Sequence, residues 1–138
     1  MNRALLRAVL PLVLTLTSTL AACGSGEPAA PGPDAAPQVE AGATLLGSVG
    51  SDDDPEAFEI ALTTEDGEPV DVLAAGDYTL VVSDLAQIHN FHLTGSGVDV
   101  ATGVSETGEM TFEVTFEAGE YGYTCDPHPS MNGAIRVV

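Results

Sequence analysis

Between Met110 and Phe116 apolar and polar side chains alternate without a break, and this constrains the fold more than any other feature of the chain. Met110, Phe112, Val114 and Phe116 fall on one face of an extended strand, and Thr111, Glu113 and Thr115 on the other. A strand with one buried face requires that pattern. The period stays at two from about Ala43 onward, and no segment carries a sustained helical stripe or an internal repeat. Further strands are expected over Thr44–Val49, Phe58–Thr63, Tyr78–Val82, His89–Thr94, Tyr121–Cys125 and Ala134–Val138. Turn signals separate them: Glu65-Asp66-Gly67, Ala75-Gly76-Asp77, Gly95-Ser96-Gly97, Thr107-Gly108 and Ala118-Gly119. Seven or eight short strands imply an all-β, Greek-key, two-sheet sandwich over residues 43–138. That length can bury a workable single core.

The first 42 residues follow different rules. Arg3 and Arg7 precede an almost wholly apolar run from Ala8 to Leu20, which reads as a signal peptide over residues 1–22. The run is too short for a comfortable membrane-spanning helix, which needs about 20 apolar residues. It ends in Leu20-Ala21-Ala22-Cys23-Gly24, the pattern of a bacterial lipobox, in which cleavage precedes a lipidated cysteine. On this reading Cys23 carries the lipid, residues 23–42 form an Ala/Pro/Gly-rich linker, and the domain is anchored outside the cytoplasm. The chain has only two cysteines, so lipidation of Cys23 leaves Cys125 without a disulfide partner.

Charge excludes other classes. There are 21 acidic residues against three Lys+Arg, and beyond the first seven residues the only one of those three is Arg136. Such a surface cannot neutralise phosphates, so nucleic acid is excluded as a partner, as is docking onto an anionic membrane by basic residues. A basic partner or a very salty environment suits it. The run Asp52-Asp53-Asp54-Pro55-Glu56 lacks the spaced acids and central glycine of a calcium loop, and reads as a solvated acidic turn.

Two clusters carry chemistry. One is Ile88-His89-Asn90-Phe91-His92-Leu93, with two of the three histidines. The other is Tyr121-Gly122-Tyr123-Thr124-Cys125-Asp126-Pro127-His128-Pro129-Ser130-Met131, with the third histidine beside the one available thiol. A trigonal His₂Cys set with a weak axial Met suits both Cu(II) and Cu(I). The spacing Cys125-x-x-His128-x-x-Met131 can bring three ligands to one ion from a single loop, and a histidine from a neighbouring strand closes the set. His89 and His92 compete for that last place: they are three apart, so on a regular strand they point to opposite faces.

From about Gly76 to Val138 the chain resembles the cupredoxins, in the plastocyanin, amicyanin and pseudoazurin branch. The Cys-x-Pro-His-Pro-x-Met loop and the His-Asn-x-His run are amicyanin-like. The segment Ala118-Gly119-Glu120-Tyr121 resembles the turn that leads into the cysteine strand of that family. The resemblance implies one type 1 copper ion held by His89, Cys125, His128 and Met131. It also implies that Asn90 bonds across to the cysteine loop, which leaves His92 as a strand histidine or a second, weaker metal site.

The function this implies is one-electron transfer by a Cu(II)/Cu(I) couple, in a monomer that docks with redox proteins such as a basic cytochrome c or a membrane redox complex. The alternative is a copper-binding or delivery protein that does not cycle, although such proteins favour Met-rich or multiple-His sites, and this chain has three Met. An enzyme built on this fold would need a second copper site, which three histidines cannot furnish.

Overall fold

The computed structural model describes residues 37–138; the signal peptide, Cys23 and most of the linker inferred from the sequence lie outside the described residues. Nine strands run through the described part: β1 (Thr44–Val49), β2 (Ile60–Thr64), β3 (Val72–Leu73), β4 (Gly76–Asp84), β5 (His92–Gly95), β6 (Val98–Ala101), β7 (Gly108–Phe116), β8 (Gly119–Cys125) and β9 (His128–Val137). They form two sheets, β2-β1-β4-β7 and β3-β9-β8-β5-β6. The β1–β4 and β3–β9 pairs are parallel, and the other strand pairs are antiparallel. This is an all-β sandwich, with no helix among the described residues.

The alternation of the sequence becomes the inner face of each sheet. On β7 Val114 and Phe116 are buried, Met110 and Phe112 half-buried, and Thr111, Glu113 and Thr115 exposed. Its partner β4 buries Tyr78, Leu80 and Val82 in the same rhythm, and β1 contributes Leu45 and Val49. From the other sheet come Leu73, Leu93, Tyr121, Cys125, Met131, Ile135 and Val137, and all of these residues join one apolar cluster. Fully burying one such side chain contributes about 1.5–3 kcal/mol, so the two inner faces supply most of the drive to fold.

Residues just before β1 also touch the sandwich. The Val39 N–H donates to Val72 O (3.0 Å), and Ala74 N–H donates to Val39 O (2.9 Å). The Tyr78 hydroxyl lies 2.8 Å from Val39 O and 3.0 Å from Ala74 O. The end of the Ala/Pro/Gly-rich stretch is thus held on the domain at Val39.

Several boundaries differ from the sequence expectation. Among the described residues there are nine strands and not seven or eight: the two not expected are β3, which is two residues long, and β6, which follows β5 through the Ser96-Gly97 turn. The strand expected from His89 begins only at His92. Before it, Phe91 N–H donates to the Thr102 hydroxyl (2.9 Å) and Thr102 N–H donates to Phe91 O (3.0 Å), so these groups are satisfied outside the ladder with β8. The strand expected from Ala134 begins already at His128, because only Asp126 and Pro127 separate β8 from β9. The strand expected from Phe58 begins at Ile60.

Candidate metal centre

Three donor groups meet at one end of the sandwich. Cys125 closes β8, His128 opens β9, and His89 comes from the segment between β4 and β5. Cys125 Sγ lies 3.5 Å from His128 Nδ1 and 3.7 Å from His89 Nδ1, and the two Nδ1 atoms are 3.1 Å apart. A trigonal ligand set with bonds of about 2.0–2.3 Å has donor atoms roughly 3.5–3.8 Å apart, by the geometry of such bonds. The donors therefore already stand near the separations that one small ion needs. Two imidazole nitrogens and a sulfur turned toward each other form a soft, nitrogen-rich set, and this is the donor chemistry that suits copper in both oxidation states.

Local structure explains why they meet. Cys125 pairs with His128 across a two-residue turn, with an irregularity in register between Thr124 and Cys125. Pro127, in that turn, has its φ fixed by its ring. Met131 is three residues further along β9 and buried in the apolar cluster, and Thr124 Oγ1 donates to its carbonyl oxygen at 3.1 Å. His89 and Cys125 are fully buried, whereas His128 is half-buried, so its ring gives the site its contact with solvent.

Of the two candidate histidines in the first cluster, His89 enters the donor set and His92 does not. The segment carrying His89 is anchored from below. Asp84, buried at the end of β4, accepts from the Thr102 hydroxyl (2.9 Å), and that hydroxyl accepts from Phe91 N–H. Burial pushes the Asp84 carboxyl above its usual range, and the bonds from Thr102 and Ala86 oppose that shift. From above, His89 Nε2–H donates to Glu56 O (3.3 Å), which leaves Nδ1 free to face the thiol.

Asn90 reaches across to the residue after the cysteine. Its Nδ2 donates to Asp126 Oδ2 and its Oδ1 accepts from Asp126 N–H, each at 2.8 Å. Asp126 Oδ1 in turn lies 2.8 Å from His92 Nδ1, and the opposite ring nitrogen of His92 is 3.0 Å from Asp99 Oδ1. The hydrogen bond that His92 donates to Asp126 raises its pKa above the ordinary value, burial opposes this, and Asp99 adds to it. With its carboxylates on opposite ring nitrogens, His92 is a strand histidine bridging two acids and does not converge with them on one point.

Sequence reasoning did not find Phe58 or the carbonyl of Glu56. Phe58 lies edge-on to His128 (ring centroids 4.6 Å apart) and to His89 (5.5 Å). The available signal was an aromatic residue at the end of an otherwise acidic turn.

A model of copper binding proteins of the plastocyanin/azurin family matches residues 68–138. No curated protein matches the chain. Among solved structures, the chain is similar to the copper protein rusticyanin at 18% identity and TM-score 0.49, covering 73% of this chain and 82% of that one. It is also similar to reduced rusticyanin (21%, TM-score 0.47, 73% and 84% covered). A rusticyanin from Thiobacillus ferrooxidans matches at 21% identity and TM-score 0.46, with 73% and 82% covered.

Proposed function

The chain belongs to the plastocyanin/azurin family of copper-binding proteins, and from that premise we propose that it is a type 1 copper electron-transfer protein, with His89, Cys125, His128 and Met131 as ligands. The observation that carries this reading is the convergence of two imidazole nitrogens and one thiol sulfur within 4.8 Å of one another. Copper bound there supplies a one-electron Cu(II)/Cu(I) couple. The protein's task is to keep the ligand positions alike in both states. Each donor is tied to a rigid element: Cys125 and His128 to the β8–β9 hairpin, and His89 to the Asp84–Thr102 anchor and the Glu56 carbonyl.

Burial of His89 and Cys125 keeps water from the inner side of the set. The half-buried His128 ring is then the shortest way out for an electron. Nothing in this arrangement calls for a substrate pocket, and the reading is that of a carrier and not an enzyme. The partner would be a basic redox protein, a cytochrome c or a membrane redox complex, because Arg136 is the one Lys or Arg among the described residues. Anchoring outside the cytoplasm through Cys23 rests on the sequence of residues 1–23.

The test is to load the full chain, kept in detergent, with Cu(II) and record visible absorption and EPR, with Cys125→Ser as control. An intense visible band with narrow copper hyperfine splitting, absent in the variant, is the expected result. A colourless product, or one whose colour survives loss of the thiol, would sink the reading.

A further inference from the structure

The loop between β1 and β2 is built to stand over the donor set. It leaves β1 at Gly50, whose φ of 77° belongs to the left-handed region and where a Cβ would meet Pro55 O at 2.3 Å. It closes at Glu59, whose carbonyl accepts from Gly50 N–H (3.0 Å). Inside the loop Ser51 and Asp54 bond each other's backbones (3.0 and 3.2 Å), and Ala57 N–H donates to Asp54 O (3.0 Å). The loop therefore has its own framework, from which Glu56 O reaches His89 and Phe58 reaches both histidine rings. It lies before residue 68, where the family match begins.

Phe58 is 62% exposed and stands outside the buried core. A phenyl ring so placed gains little from burial, and it sits in a segment of acids. Its aromatic neighbours among the described residues are His89 and His128, both met edge-on at centroid distances favourable for such pairs. The two histidines differ in what fixes them. His89 has the Glu56 carbonyl on Nε2, whereas among the described residues the hydrogen-bond geometry of His128 involves only Nδ1, the atom facing the donor set. Two rings pack edge-on against His128, the buried His89 (centroids 4.9 Å) and the exposed Phe58 (4.6 Å), and of the two Phe58 is the one that reaches solvent.

We propose that Phe58 is a positioning residue of the metal centre: it holds the His128 imidazole toward Cys125 from the solvent side and so sets how slowly the site releases its metal. This rests on the copper reading above. Side chains around metal ligands commonly change affinity by about tenfold or more when removed, and an exposed one can do so without altering the fold.

The experiment compares full-length wild type, Phe58→Ala and Phe58→Tyr in two measurements. One is the rate at which excess EDTA strips Cu(II), followed by loss of the visible band. The other is the unfolding midpoint of the metal-free protein. Expected are a release rate about tenfold or more faster in Phe58→Ala, restored toward wild type by the ring of Phe58→Tyr, and an unchanged metal-free midpoint. Equal release rates in wild type and Phe58→Ala would overturn the proposal. So would a fast rate in Phe58→Tyr, or a lowered metal-free midpoint with release unaltered, which would make Phe58 an ordinary fold contact. A wild type that takes up copper without an intense band would overturn the copper reading and this inference together; a blue wild type with an indifferent Phe58→Ala would overturn this inference alone.

Discussion

Asn90 and Asp126 hold each other through two hydrogen bonds of 2.8 Å running in opposite directions, one to the carboxylate and one from the backbone N–H. Asn90 is buried, and Asp126 directly follows Cys125, so this pair ties the His89 segment to the cysteine hairpin. Asn90→Ala removes both bonds, and since a hydrogen bond contributes about 0.5–1.5 kcal/mol net and one to a charged group about 1.5–3, a loss of about 1–3 kcal/mol follows. A drop of that size in urea unfolding of the metal-free protein is expected, with copper affinity lowered by about 10–100-fold. Unchanged stability and affinity would show that solvent replaces Asn90 freely.

How far the sequence reveals this architecture depends on the kind of constraint. Strands with one buried face are written in their alternation, and β1 and β7 lie where period two puts them. The two-residue β3 has no period to read, because it exists through its parallel pairing with Arg136 and Val137. The ligand motifs were legible because the three candidates sit at short spacing, whereas the choice of His89 over His92 was legible only through the family resemblance and not in the spacing. It depends on Thr102, a residue ten positions past His92, which takes the backbone of Phe91 out of the ladder. Phe58 stayed hidden for a related reason: its partners are 31 and 70 residues further on, and no local pattern connects them.

His92 carries a pH dependence whose sign follows from its neighbours. Hydrogen bonding to Asp126, supported by Asp99, raises its pKa in the folded protein above the unfolded value near 6.5. The stabilisation is therefore fully present below about pH 6.5 and is lost as the pH rises through the folded pKa. Both carboxylates are exposed and His92 is only half-buried, so the effect is small, about 0.2–1 kcal/mol, and weakens with salt. Asp99→Asn should lower the His92 pKa seen by NMR titration and flatten the difference in stability between pH 6 and 8. A His92 pKa that does not respond would mean that Asp99 is a bystander.

Met131 separates packing from ligation. It is buried in the apolar cluster, and Met131→Leu roughly conserves volume, so the metal-free protein should lose less than about 1.5 kcal/mol. If its thioether is the weak axial ligand, removing that donor destabilises Cu(II) more than Cu(I), and the reduction potential rises while the visible band persists. Voltammetry of the copper-loaded variant decides the matter. An unchanged potential would assign Met131 to the core alone.

Gly95 tests the fold independently of the metal. A Cβ there would lie 2.1 Å from Tyr121 Cδ1, inside any tolerable contact. Tyr121 cannot easily give way: it is buried, packs edge-on to Phe116 at 4.9 Å, and its hydroxyl is within reach of Glu117 N (3.0 Å), Glu117 O (2.9 Å) and Ser96 O (3.3 Å). Gly95→Ala must therefore shift β5 against β8 or move the tyrosine off its three partners. Overpacking of this kind costs about 1–3 kcal/mol, and each kcal/mol lowers the melting temperature by about 4–8 °C in a domain near this size. Tyr121 lies four residues before Cys125 on β8, so the visible band of the protein that does fold should be unaltered. A melting temperature equal to wild type would show that the two strands separate at this point with little cost.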